Sequence, residues 1–277
     1  MTALTEWGEA LRAWAIPDEI LSAAPESPWA FPIGLFRDRA SSATDEPPSP
    51  SSRHALEALS EGGSVLDVGS GAGAASLALV PPAGSIVAVD PSTEMLEAFE
   101  ELAAGRQVPH RTMQGGWPDI AASVEPSDVV VCHHVVYNVQ DLEPFVRELC
   151  THARRRVVVE LTAEHPRAWM NDLWMRFHGL ERPTRPTSDD LVAALGEIGV
   201  TPAREDWSVP REAFTSREEA VALARARLCL TEDRDEEVAD ALGDRLRERD
   251  DGWTLGPEEQ PLSTLWWDGQ SERRRAT

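Results

Sequence analysis

Three glycines alternate at positions 69, 71 and 73, directly after the apolar run Val65, Leu66, Asp67, Val68. With no Cβ in the way, such a turn takes positive φ and lets a ligand rest against bare backbone. A helical stretch follows at once, and its unpaired N–H groups and dipole favour something electron-rich at the same place. Residues 85–89 form a β-branched run closed by a second carboxylate, Asp90, with Pro91 and Ser92 after it. A carboxylate at the end of that strand suits the two hydroxyls of a ribose. His133 and His134 end a further apolar run, and Tyr137, the single tyrosine of the chain, follows. An imidazole exchanges a proton near neutral pH, so His133, His134 and Tyr137 are the candidates for a general base. Strand alternation sends the two histidine side chains to opposite faces.

The elements that must position these residues alternate. Apolar spacing predicts helix 53–60, strand 64–68, helix 72–80, strand 85–90, helix 92–104, strand 109–114, strand 127–132, helix 141–152 and strand 156–162. Helix 188–198, strand 203–210 and a last strand at 263–267 follow. Such alternation builds a parallel sheet with helices on both faces, an α/β fold.

Asp67-x-Gly69-x-Gly71-x-Gly73, with Asp90 closing the next strand, resembles motifs I and II of the class I S-adenosylmethionine (SAM) dependent methyltransferases. The likeness continues through 128–138, similar to that family's fourth strand and following loop, and 156–162, similar to its fifth strand. It covers roughly 54–162 and 188–211. The resemblance implies a doubly wound, Rossmann-like seven-stranded sheet whose late strand runs antiparallel beside 203–210. It also implies S-adenosyl-L-methionine as cofactor but not a substrate; the large Trp- and Met-lined additions are what favour methyl transfer to a small, apolar or aromatic metabolite. Carried over residue by residue, the cofactor positions are Asp67, Gly69, Ser70, Gly71, Gly73, Asp90, Pro91, Met95, Gly116, Trp117 and His133. Trp117 falls where the family contacts adenine, and a core tryptophan explains that segment equally well. Two alternatives stay open. Gly69, Gly71 and Ala74 also satisfy the looser dinucleotide pattern of an NAD(P) oxidoreductase, and a SAM-binding regulator without turnover would carry the same motifs.

A formal charge of −22 disfavours a nucleic-acid substrate, because phosphate binding depends on cations. All 26 basic residues are arginine. No run approaches the roughly 18 apolar residues of a membrane span, and the N-terminus lacks the order of a signal peptide, so the expected location is the cytoplasm. Cys132, Cys150 and Cys229 are far apart and read as buried thiols, with no spacing that suggests a metal. The acceptor is expected to be a small molecule, and a homodimer stays open.

The expected organisation is N-terminal helices and linker over 1–52, a SAM-binding core over 53–162 and a helical lid insertion over 163–187. A core continuation over 188–211, a helical insertion over 212–260 and a last strand and tail over 261–277 complete it. Leu4, Trp7, Leu11 and Trp14 share one helix face, and the Ser- and Pro-rich stretch 40–52 reads as a mobile linker. Trp169, Leu173 and Phe177 recur at helical spacing with Trp174 beside them, in an insertion that leaves the carboxyl end of a strand, where ligands bind. Phe31, Trp169, Trp174 and Phe177 are therefore the substrate-binding candidates, with plain packing as the alternative for the stripe. Residues 215–249 read as one or two helices.

Overall fold

Val65, Leu66 and Val68 are buried, as are Val129, Val130 and Val131, because their strands lie inside a sheet covered on both faces. In the computed structural model, which describes residues 1–29, 34, 37, 40, 41, 47–211, 213–250 and 252–269, six strands lead up to and frame that sheet. They are β1 (Ser64–Val68), β2 (Ser85–Asp90), β3 (His110–Gln114), β4 (Ser127–His133), β5 (Ala153–Thr162) and β6 (Ala203–Pro210). A three-stranded sheet of β7 (Ala213–Phe214), β8 (Leu246–Arg249) and β9 (Gly252–Leu255) follows, and β10 (Glu259–Asp268) returns to the large sheet. The large sheet has seven strands in the order β3-β2-β1-β4-β5-β10-β6. β1 pairs in parallel with β2 and β4, whereas β10 pairs antiparallel with both β5 and β6. This is the doubly wound, Rossmann-like sheet with a late antiparallel strand. Strand order reverses between β1 and β4, the crevice where open α/β sheets take their ligands.

Local sequence explains several helix starts. Ser92 caps the helix Thr93–Gly105 at the Met95 N–H (3.3 Å), and Thr187 with Asp190 forms a capping box for Ser188–Ile198. The helix expected over 72–80 shrinks to one α-turn, Ala74–Leu77. Pro81 and Pro82 follow, and the chain tightens toward them through bonds from Leu79 to Ser76 and from Val80 to Leu77. Residues 49–52, expected to be mobile linker, instead start the helix Pro50–Ala58. Ser49 caps it and Ser51 is buried against Thr264 at 2.6 Å. Arg155 and Arg156 of β5 donate to the carbonyls of Ala58 and His54 in the same helix (3.0 Å each), which extends β5 back to Ala153.

The expected helical insertion over 212–260 holds two helices, Arg217–Arg227 and Asp235–Leu242, and the three-stranded sheet. Leu246 sits in a strand rather than on a helix face, because Gly243 ends the second helix and Gly252 lets β8 turn back on β9. This insertion and the one after β5 share one apolar core. Met170, Leu173 and Trp174 pack there with Phe214, Val221 and Val238. Ile16 joins it from the N-terminal segment, so three stretches far apart in sequence make one cap. Among the described residues no helix is long and apolar enough to cross a membrane.

Candidate active site

β1 delivers Asp67 and the glycine turn. Gly69 has φ +72°, and a Cβ there would lie 2.3 Å from Val135 Cγ2, so the loop after β4 excludes any side chain. The turn spends its own donors. The N–H groups of Gly69 and Ser70 both reach the Val89 carbonyl (2.8 and 3.0 Å), Gly73 donates to the Ser70 carbonyl (2.8 Å) and Gly71 to Asp90 Oδ2 (2.9 Å). Asp90 Oδ1 accepts from the Ser92 N–H at 2.9 Å. A carboxylate has about four acceptor positions, so Asp90 braces the turn and keeps capacity for two hydroxyls. Pro91 is exposed and Met95 and Gly116 line the same edge half-buried and exposed, beside the ends of β2 and β3.

Asp67 is buried under the turn. Its Oδ2 accepts the Ser76 hydroxyl at 2.6 Å, while Oδ1 has no hydrogen-bond partner. Burial, reinforced by the charge of Asp90 and opposed by the Ser76 hydrogen bonds, pushes its carboxyl up to about 7. The folded protein therefore holds a proton on Asp67 that the unfolded chain releases near its ordinary value of 3.8. This contribution to stability is full below about 4 and is lost as pH rises to 7. His165, pushed down to about 3, has the opposite sign over the same interval, so the wild-type profile alone is not diagnostic. The stability of Asp67→Asn relative to wild type is expected to rise between pH 4.5 and 7.5 by on the order of 3 kcal/mol, read by urea unfolding at both pH values. A constant difference would remove the raised carboxyl from the account.

The two histidines do not diverge. His134 has φ +59° and donates its N–H to the Glu160 carbonyl at 2.8 Å, a left-handed residue that ends strand alternation right after His133. Both rings then address one side chain. His134 Nε2 lies 3.0 Å from Glu160 Oε1 and His133 Nδ1 lies 3.9 Å from Oε2. Glu160 is buried in β5 between β4 and β10. Burial works against its charge, but His133, His134 and the Ser51 hydroxyl together hold the carboxyl well below the usual range. Sequence reading passed over Glu160. A lone acid inside Val157, Val158, Val159 and Leu161 was nevertheless a signal, because a buried charge needs partners.

The other aromatic candidates pack. Trp117 donates its indole N–H to the Phe145 carbonyl (3.3 Å) and meets the His152 ring edge-on at 4.9 Å, so its ring is turned to the helix Leu142–His152. Trp174 belongs to the cap core, and Phe177 and Trp169 pack against it half-buried, Trp169 beside Gly256. None of Trp169, Trp174 and Phe177 lines the cavity described next, the reverse of the expected roof, because the apolar stripe meets the second insertion instead. Phe31 lies outside the described residues. Trp174→Ala is expected to destabilise the fold by about 3–5 kcal/mol and to leave cofactor affinity within a few-fold, measured by denaturation and calorimetric titration. Lost cofactor binding with intact stability would return Trp174 to the site.

A cavity of about 330 Å3 opens past the ends of β4 and β5. The N-terminal segment contributes Leu11, Trp14 and Trp29, the loop after β4 contributes Tyr137 and Asn138, and the cap contributes His165 and Arg167. The N-terminal segment is held there by hydrogen bonds from Trp7 to the Val139 carbonyl (2.8 Å) and from Trp14 to the Arg185 carbonyl (2.6 Å). Tyr137 links the two centres, its ring 6.4 Å from that of His134 and 6.1 Å from that of His165. Of these residues only Tyr137 was expected at the site from sequence. Trp14 had read as a packing position, and His165 and Arg167 carry no local pattern.

Against known proteins, the family described as "Methyltransferase domain" matches residues 66–158, the stretch from β1 to β5 that holds the glycine turn, Asp90 and the histidines. Over this stretch the chain is similar to a methyltransferase domain. The chain is 30% identical over 86 residues to the uncharacterized methyltransferase YcgJ of Bacillus subtilis (strain 168), an alignment spanning 31% of this chain and 34% of that relative. The crystal structure of YcgJ is similar in fold, with a TM-score of 0.53 at 17% identity over 79% of this chain and 98% of that one. The BH2331 protein of Bacillus halodurans C-125 is similar to the same degree, TM-score 0.51 at 15% identity over 79% and 96%. At these identities the structures speak to fold. The methyltransferase domain is the kind that takes S-adenosyl-L-methionine as methyl donor, and the cap and N-terminal segment are what this chain sets around it.

Proposed function

We propose that the whole chain is a cytoplasmic SAM-dependent methyltransferase whose acceptor is a small aromatic molecule seated in the cavity beneath Trp14 and Trp29. One observation carries the choice of cofactor. A dinucleotide fold aims free N–H groups and a helix N-terminus at a pyrophosphate, yet here the N–H groups of residues 69, 70, 71 and 73 are consumed internally and the helix is one turn long. A turn with spent donors, a braced Asp90 and a buried, unpartnered Asp67 Oδ1 favours a ligand with a diol and a cationic group and no phosphate. That description fits SAM.

Asp90 would accept from the ribose hydroxyls, with Gly69 and Gly71 giving the nucleoside room and Pro91, Met95 and Gly116 flanking the base. Asp67 would face the amino group through its free oxygen. The bound cofactor supplies an electrophilic methyl group on sulfur, which an in-line nucleophile displaces to leave a neutral thioether. The protein's part is alignment and, for a hydroxyl acceptor, removal of its proton. His134 is suited to that step. Glu160 holds Nε2, which assigns the proton there and leaves Nδ1 as the basic nitrogen. His133 and Tyr137 flank it. The net charge of −22 argues against nucleic acid as acceptor.

Thermal unfolding tests the cofactor assignment. S-adenosylhomocysteine at a hundredfold excess over its dissociation constant stabilises by about 2.7 kcal/mol through mass action, so the melting temperature is expected to rise, and NAD and NADP are expected to leave it unchanged. A rise with NAD alone would move the protein to the oxidoreductases.

A further inference from the structure

The cavity is cationic in a chain that is strongly anionic. None of the described residues lining it is acidic, although the sequence holds 48 acidic residues, and two arginines face it. Arg167 donates to the Pro28 carbonyl at 3.2 Å and lies with its guanidinium 3.8 Å over the Trp29 ring. Among the described residues no carboxylate pairs with it, and none pairs with exposed Arg12. Arg182 stands behind, donating to the carbonyls of Trp14 and Ala15. Burial and the like charges of Arg227 and Arg182 press the Arg167 guanidinium down to about 10. Such a cation gains on meeting an anion, because a charge-assisted pair relieves both burial and repulsion.

The rest of the wall is flat and aromatic. Trp14 and His165 stack at 3.7 Å with 14° between planes, and Trp29 leaves 49% of its surface exposed at the mouth. His165 is neutral at physiological pH, since burial and the charges of Arg167 and Arg182 hold it at about 3. Its Nδ1 accepts the Arg167 N–H at 3.3 Å, so Nε2 carries the proton and is a donor. An electron-rich ring finds aromatic faces, an N–H donor and a guanidinium, and no acceptor carboxylate.

We infer that the methyl acceptor is an aromatic carboxylic acid, its carboxylate held by Arg167 with Arg12 in support and its ring set against Trp29 and the Trp14–His165 stack. This rests on the methyltransferase reading for the acceptor's role, whereas the preference for an acid is a property of the cavity and is tested apart from turnover. The competing role for Arg167 is to pin the N-terminal segment through Pro28 and Trp29.

The probe is 6-hydroxy-2-naphthoate against its neutral amide, titrated into the full chain with and without S-adenosylhomocysteine and followed by ligand fluorescence. The acid is expected to bind at least about tenfold tighter than the amide, the effect of one charge-assisted pair, and added salt to weaken the acid alone. Arg167→Gln should bring the two to within about threefold, with Arg167→Lys retaining part of the preference and Arg12→Gln, at an exposed helix position, reducing it without touching the fold. S-adenosylhomocysteine affinity and the melting curve should stay near wild type in Arg167→Gln. Equal binding of acid and amide, or a preference that survives Arg167→Gln, overturns the assignment. Failure of S-adenosylhomocysteine to bind wild type would instead remove the methyltransferase reading and leave the acid-over-amide comparison standing.

Discussion

Replacing His134 by alanine is expected to lower turnover by about 10²–10⁴-fold, the range for a positioned general base, with S-adenosylhomocysteine affinity within a few-fold of wild type. Among the three residues expected at this place from sequence, the hydrogen bond separates His134 from His133, because only the former lies within bonding distance of Glu160, 3.0 Å against 3.9 Å. On the proposed mechanism the buried carboxylate would orient the ring and stabilise the imidazolium that forms when the acceptor gives up its proton. Glu160→Gln keeps a side chain of the same size and removes that stabilisation, so kcat is expected to fall with KM and S-adenosylhomocysteine affinity near wild type. A purely structural role for Glu160 would instead lower the melting temperature without a selective loss of kcat. His133→Ala serves as the comparison and is expected to cost less. Single-turnover rates within a few-fold of wild type for both histidine variants would leave alignment as the whole mechanism.

Asp90→Ala is expected to weaken S-adenosylhomocysteine by about tenfold to a hundredfold. Each hydrogen bond to a charged group is worth about 1.5–3 kcal/mol, and about 1.4 kcal/mol is tenfold in affinity. The geometry adds a second cost, since the Gly71 and Ser92 N–H groups lose their acceptor when the carboxylate goes. Asp90→Asn separates the two. Its amide oxygen still braces one N–H group, so the turn holds while the charge proposed to meet the ribose is absent. Calorimetric titration beside circular dichroism reads both, and an unchanged dissociation constant in folded Asp90→Ala would reduce Asp90 to a brace for the turn.

Much of this was legible in the chain itself, for a physical reason that differs by element. β1, β2, β4 and β6 are short periodic or fully apolar runs bounded by turn residues, and such patterns depend on neighbours within a few positions. Gly69 and Asp90 announced themselves because a backbone with positive φ and a carboxylate closing an apolar strand are chemically exceptional there. The one-turn helix after Gly73 was overestimated because the small residues 74–80 have high helix propensity, which Pro81 and Pro82 override. The strand at 246–249 was missed because an acidic, arginine-rich segment has no β pattern of its own and is fixed by its pairing with β9.

By itself, then, the sequence determined the doubly wound sheet, the glycine turn, Asp90 and the pair of histidines, since each is written in local spacing. Tertiary structure alone decided where the side chains point. The left-handed turn at His134 brings both imidazoles to Glu160, which reaches them from a different strand. The aromatic stripe at Trp169, Trp174 and Phe177 packs on a second insertion rather than lining the cavity, because an apolar face packs against whichever apolar face the chain returns to it. The cavity gathers Trp14, Trp29, Tyr137, His165 and Arg167 from three separate stretches. No short-range pattern can mark residues whose only relation is contact made after the N-terminal segment and the cap have closed over the sheet.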